Sequence, residues 1–136
     1  MRKTNAKKII ISLALVFCIQ AVFANNTKVA AIQLTAKQQS FEELKQSITD
    51  YPTKAKDQGA NIIVFPEDNM LNLIYNDPWS KDSLIKLSNS YDQIKSFISG
   101  LSRKLDVYMV AGSTVKQKDQ KLYNTALVGL PSGYVI

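Results

Sequence analysis

Residues 61–65 (NIIVF) run directly into Pro66, and much of the chain is organised around that junction. Four consecutive apolar residues read as a buried strand covered on both faces, as a central strand is. Proline has no N–H to give to a central ladder, so the strand must stop there. Glu67 therefore sits just past a strand's C-terminal end, where layered α/β proteins gather their active sites. Asp68 and Asn69 beside it also fit the role of turn formers. A lone acid at a strand end is equally the pattern of an ordinary solvated carboxylate, and both readings of Glu67 stand on the residues alone.

Other elements follow from periodicity. Residues 28–34 (KVAAIQL) read as a buried strand interrupted by Gln33. Ser40 followed by Glu43 fits a capping box, and Phe41, Leu44 and Ile48 fall on one helical face. Pro52 lacks an N–H and crowds the carbonyl four residues back, so the helix should kink or restart near Asp50. Gly59 is its expected terminator. Residues 68–80 read as a polar and aromatic loop. Leu84, Leu87, Tyr91, Ile94, Ile98, Leu101 and Leu105 alternate spacings of three and four, which predicts one long helix over 81–104 with Gly100 as its weak point. Residues 107–112 (VYMVAG) and 122–130 (LYNTALVGL) read as strands joined through the polar segment 116–121, a hairpin. Pro131-Ser132-Gly133 is a turn, after which residues 134–136 begin a further strand. The order β-α-β-α-β-β places the chain in the α/β class.

The 136 residues allow one domain at most. The 46% apolar and 21% charged content is that of a globular chain. The net charge of +6 is concentrated at the start. Arg2, Lys3, Lys7 and Lys8 come before an apolar run over residues 9–23, with Val22 and Ala24 as small residues ahead of Asn25. That order predicts a secretory signal peptide over 1–24, cleaved after Ala24, with the remaining domain over 25–136 exported to the periplasm or outside the cell. The run is shorter than the ~20 residues of a comfortable membrane span, so the leader is the expected extent of membrane contact. Removing those four from the seventeen basic residues leaves thirteen against eleven acids. No basic cluster interleaved with aromatics remains, and nucleic acid is not an expected partner. The one cysteine, Cys18, lies in the leader, and the chain has no histidine. Ser-His-Asp and Cys-His catalysis are excluded, and a zinc site is not expected.

Five phrases in order, AIQL (31–34), GANIIVFPE (59–67), MVAGS (109–113), Tyr123-Asn124 and Pro131-Ser132-Gly133, resemble the opening half of the carbon–nitrogen hydrolases of the nitrilase superfamily. The resemblance runs from Lys28 to the end. It implies an α/β chain forming an incomplete half of a four-layer α-β-β-α sandwich, in a family that is usually homo-oligomeric. It implies hydrolysis of non-peptide carbon–nitrogen bonds in small amides, nitriles, carbamoyl or N-acyl compounds, by a Glu-Lys-Cys triad with no cofactor and no metal. Glu67 matches the family's glutamate, the general base toward the cysteine thiol. No lysine stands at the matching position after the Pro-x-Gly turn; Lys116, Lys118 and Lys121 belong to the preceding connection, and Cys18 is in the leader. The chain by itself is thus expected to be inactive and, with sheet edges and apolar faces uncovered, marginally folded. Two other readings remain: a secreted degenerate half or binding module without catalysis, and an unrelated flavodoxin-like domain with a parallel sheet throughout.

Overall fold

The computed structural model describes residues 27–136; the leader predicted over 1–24, Cys18 included, lies outside the described residues. In chain order the elements are β1 (Val29–Ala31), α1 (Phe41–Asp57), β2 (Ile62–Val64), a 3₁₀ turn (Asn69–Ile74), α2 (Lys81–Ser88), α3 (Tyr91–Leu105), β3 (Tyr108–Lys118) and β4 (Lys121–Gly129). The strands lie side by side in sequence order. β1, β2 and β3 are parallel, and β4 returns antiparallel to β3. That hairpin excludes the all-parallel flavodoxin-like reading.

α1 starts with the expected reciprocal cap. Ser40 Oγ accepts from the Glu43 N–H at 3.3 Å, and Glu43 Oε2 accepts from the Ser40 N–H at 2.7 Å. The Ser40 backbone N–H, then its hydroxyl, hold the Glu43 carboxyl below its ordinary value. The helix does not restart at Pro52 but runs through it to Asp57, with the proline ring buried. The carbonyl of Ile48 loses its helical donor there, a local loss that burial of the ring offsets. Gly59, at φ +87°, ends the segment as expected.

The single helix predicted over 81–104 is two. Ser88-Asn89-Ser90 interrupts it, and the Ser88 hydroxyl turns back onto the Ile85 carbonyl at 2.7 Å. Such side chains compete with the backbone ladder, which periodicity does not register. The two helices also serve different cores. Leu87 of α2 packs with Ile74 and Val115 in a small cluster. Tyr91, Ile94, Ile98 and Leu101 of α3 join Leu44 and Ile48 of α1 against Ile63, Met109, Ala111 and Leu127 of the sheet.

The helices α1 and α3 thus cover one face of the sheet. By register Ala30, Ile63 and Met109 face them, while Val29, Ile62 and Tyr108, then Ala31, Val64, Val110 and Val128, face the other way. On that second face Val29 is 58% and Tyr108 50% exposed, and Ile62, Val64, Val110 and Val128 are half-buried. The expectation of a β2 covered on both faces, and of a buried β1, therefore fails among the described residues: β1 is a half-exposed edge strand of three residues. An apolar run cannot say whether its second face has found a partner.

The hairpin is longer than the sequence pattern implied. Asp119 and Gln120, both in the left-handed region (φ 50° and 60°), form a two-residue turn that lets the ladder run to Lys118 and resume at Lys121. Residues 134–136 return as a single antiparallel bridge between Val135 and Gly129.

Candidate functional site

Glu67 leaves the sheet directly after β2, with its backbone clamped from β3. The Phe65 N–H donates to the Val110 carbonyl at 2.9 Å, and the Ser113 N–H donates to the Glu67 carbonyl at 2.7 Å. The Ser113 hydroxyl adds a second donor to that carbonyl at 3.2 Å. Gly112 makes this clamp possible. At φ +80° it occupies a β-bulge where the β3–β4 register shifts by one residue. A Cβ there would lie 2.8 Å from both the Glu67 carbonyl oxygen and Asn69 Oδ1, and closer still to the Pro66 carbonyl.

The Glu67 carboxylate is exposed and accepts a hydrogen bond from Asn124 Nδ2 of β4 at 3.1 Å. Asp68 is also exposed, and its carbonyl starts the 3₁₀ turn by accepting from the Leu71 N–H at 2.9 Å. The segment expected as a loop over 68–80 is an ordered wall. Asn69, Met70, Asn72 and Ile74 are buried in it. Asn72 holds the wall to the β1–α1 connection: its Nδ2 donates to Gln39 Oε1 at 2.8 Å, and its Oδ1 accepts from the Lys37 N–H at 3.2 Å. Gln38 adds two bonds of its own, to the Leu73 carbonyl and from the Asn76 N–H.

Two cavities flank this wall and share Asp68, Leu71 and Trp79. One, of about 290 Å³, has Glu67, Ser113 and Asn124 at one end and Leu84, Val115 and Leu122 along its side. The other, of about 310 Å³, lies between residues 34–36 and the 3₁₀ turn. Trp79 stands 77% exposed at the rim of both. Among the described residues no three His, Cys, Asp or Glu side chains come together to hold a metal ion. Of the positions singled out in the sequence, only Glu67 lines either cavity as a candidate catalytic group. Lys116, Lys118 and Lys121 lie on the hairpin; Lys116 stacks over the Tyr91 ring at 5.1 Å. Sequence reasoning gave no role to Asn124, although Tyr123-Asn124 was visible as a phrase, and it missed Gln38, Gln39 and Asn72. A short amide-rich run such as Gln38-Gln39 was the available signal.

A carboxylate at the end of a central parallel strand, clamped by a bulged neighbour and opening on an apolar cavity, defines an α/β domain built around one acid. The carbon–nitrogen hydrolase family model matches residues 28–136, and the chain belongs to that family. A hydrolase of Schizosaccharomyces pombe is 29% identical over 112 residues, covering 80% of this chain and 33% of the yeast protein. The omega-amidase NIT2 of Danio rerio is 28% identical over 109 residues, covering 80% of this chain and 37% of the fish protein. Among solved structures, the carbon–nitrogen hydrolase of Helicobacter pylori G27 superposes with a TM-score of 0.68 at 18% identity, over 80% of this chain and 37% of that one. Saccharomyces cerevisiae Nit3, of the nitrilase superfamily, gives a TM-score of 0.62 at 24% identity, over 81% and 42%. The chain thus spans 33–37% of the length of these curated relatives, and its fold is part of the nitrilase fold.

Proposed function

We propose that this chain supplies the general base, Glu67, and one wall of the substrate pocket of an exported hydrolase acting on non-peptide carbon–nitrogen bonds. The observation that carries the reading is the Asn124–Glu67 hydrogen bond at the mouth of an apolar cavity. An amide donor fixes one carboxylate oxygen and leaves the other free to take a proton. In the triad chemistry of the family, written for an amide, the carboxylate removes the thiol proton as the thiolate attacks the amide carbon. The lysine ammonium stabilises the oxyanion. The proton then passes to the leaving amine, and water, deprotonated by the same carboxylate, releases the acid.

The chain alone is inactive on this reading, since no lysine or thiol in 25–136 matches the triad. Purified full chain should release no ammonia from amides or nitriles above a blank. Sequencing the locus beyond the codon for Ile136 should reveal a lysine within about a strand's length and a cysteine further on. In a form carrying both, Glu67→Gln lowers turnover by roughly two to four orders of magnitude without unfolding the protein. Retained turnover sinks the assignment of Glu67. A stop codon with neither residue in any frame favours the second reading, a secreted binding module without catalysis.

A further inference from the structure

We infer that the cavity beside Glu67 selects amides or nitriles with an uncharged, apolar acyl chain and discriminates against those whose chain ends in a carboxylate. The inference rests on the reading of Glu67 as the acid that faces the reacting bond. It comes from what lies beyond that acid. Leu71, Leu84, Val115 and Leu122 line the cavity from four different elements, and Trp79 stands at its rim. The aliphatic wall is not a set of loose surface side chains. Leu71, Leu84 and Leu122 pack against the buried cluster of Ile74, Leu87 and Val115 and are held in place by it. A cavity of about 290 Å³ is at the small end of ligand sites, so it suits a chain of a few carbons.

Charge points the same way. The ionisable carboxylates lining the cavity are Glu67 and Asp68, and no lysine or arginine lines it. The hairpin lysines and Lys86 are directed elsewhere. With Lys116 paired to Tyr123 and Lys118 to Lys121, strand alternation puts all three hairpin lysines on the face opposite Val115, Leu122 and Asn124. Lys86 of α2 is engaged with Asp77 at 2.8 Å. An anionic chain end would lose its water against leucine with no cation to receive it, and would be repelled by two carboxylates. An alkyl end gains from the same wall, up to about fourfold in affinity per buried methylene.

The test is a matched pair of probes, titrated into the isotopically labelled full chain and followed by NMR. Hexanamide and adipamate share the amide and four methylenes and differ in a terminal methyl against a terminal carboxylate. Hexanamide should shift the Trp79 indole N–H, the Leu84 and Leu122 methyls and the Asn124 side-chain amide, and bind on the order of tenfold or more tighter than adipamate. Propionamide should shift the Asn124 amide but bind more weakly than hexanamide. Leu122→Lys should reverse the order of hexanamide and adipamate. Equal or tighter binding of adipamate by the wild-type chain, with the Asn124 amide still responding, overturns the selectivity and leaves Glu67's role standing. If none of the three amides moves the Asn124 resonance at the limit of solubility, the reading of Glu67 falls, and this inference with it.

Discussion

Replacing Gly112 by alanine tests whether the bulge in β3 is what holds Glu67 in place. The backbone there has φ +80°, which costs an L-residue roughly 1–2 kcal/mol. The added Cβ would also meet three oxygens, two of them backbone carbonyls at the Pro66–Glu67 exit from β2. Carbonyls fixed in a strand end cannot rotate away as a flexible side chain would, so β3 and the Glu67 segment must move apart. Overpacking of that kind costs about 1–3 kcal/mol. The sum, about 2–5 kcal/mol, is a large share of the ~5–15 kcal/mol that holds a domain together. Gly59→Ala is the internal control. Its φ is +87°, but a Cβ there meets nothing within 4 Å, so it should carry the dihedral cost alone. Urea denaturation of the two variants should separate them by about 1–3 kcal/mol with unchanged slope. At low urea, the Ser113 N–H and Asn124 side-chain amide resonances should shift in Gly112→Ala and stay in place in Gly59→Ala. If Gly112→Ala is no less stable than Gly59→Ala, the close approach of β3 to Glu67 does not exist as described.

Ser40→Ala should cost about 1 kcal/mol in the same assay by removing the cap of α1, and a loss under 0.3 kcal/mol would show that the box does not form. The cap also sets a pH dependence. Glu43 has its folded-state value held below the ordinary 4.5, so its contribution is complete above that value and is lost as pH falls through the lower, folded one. The stability gap between wild type and Glu43→Gln should therefore be constant at neutral pH and close on acidification below pH 4.5; a gap that widens there refutes the sign. Ser102, fully buried in α3, has a hydroxyl with no hydrogen-bond partner, packed where a Cβ on Gly129 would collide. Ser102→Ala should be neutral or stabilising by up to about 1 kcal/mol, because it removes an unsatisfied polar group, and clear destabilisation in a thermal melt would mean that the hydroxyl is bonded in solution.

The elements that could be read from the sequence are those whose signals are local. The Ser40–Glu43 box, the stop at Pro66, the Gly59 terminus and the turn before Tyr134 each depend on residues within a few positions. Chain-wide periodicity failed where a local competitor or an absent partner decided the outcome. Ser88 to Ser90 split a helix whose apolar spacing continued without a break. The apolar run of β2 implied a second covered face that the described residues do not supply. The wall after Glu67 was hidden because its order comes from Gln38, Gln39 and Asn72, bonded across more than thirty residues.

Glu67 could be located at a strand end, but its surroundings are set by a register that no short segment specifies. Its partner Asn124 is fifty-seven residues away and its backbone clamp Ser113 forty-six. Both depend on the extra residue in β3. Below the bulge Val110 faces Val128; beyond it Ser113 faces Ala126 and Val115 faces Asn124. Carried on without the shift, the register would set Thr114 against Asn124 and Lys116 against Leu122. An ammonium would then enter the cavity wall, and Ser113 and Val115 would turn to the face covered by α1 and α3. One glycine in a left-handed conformation therefore has three effects. It lets β3 pass over the Glu67 carbonyl, places Val115 in the apolar wall, and keeps Lys116 over Tyr91 on the opposite face. The charge of the pocket and the position of its acid are consequences of the same bulge, so a perturbation that removed it should change substrate preference together with stability.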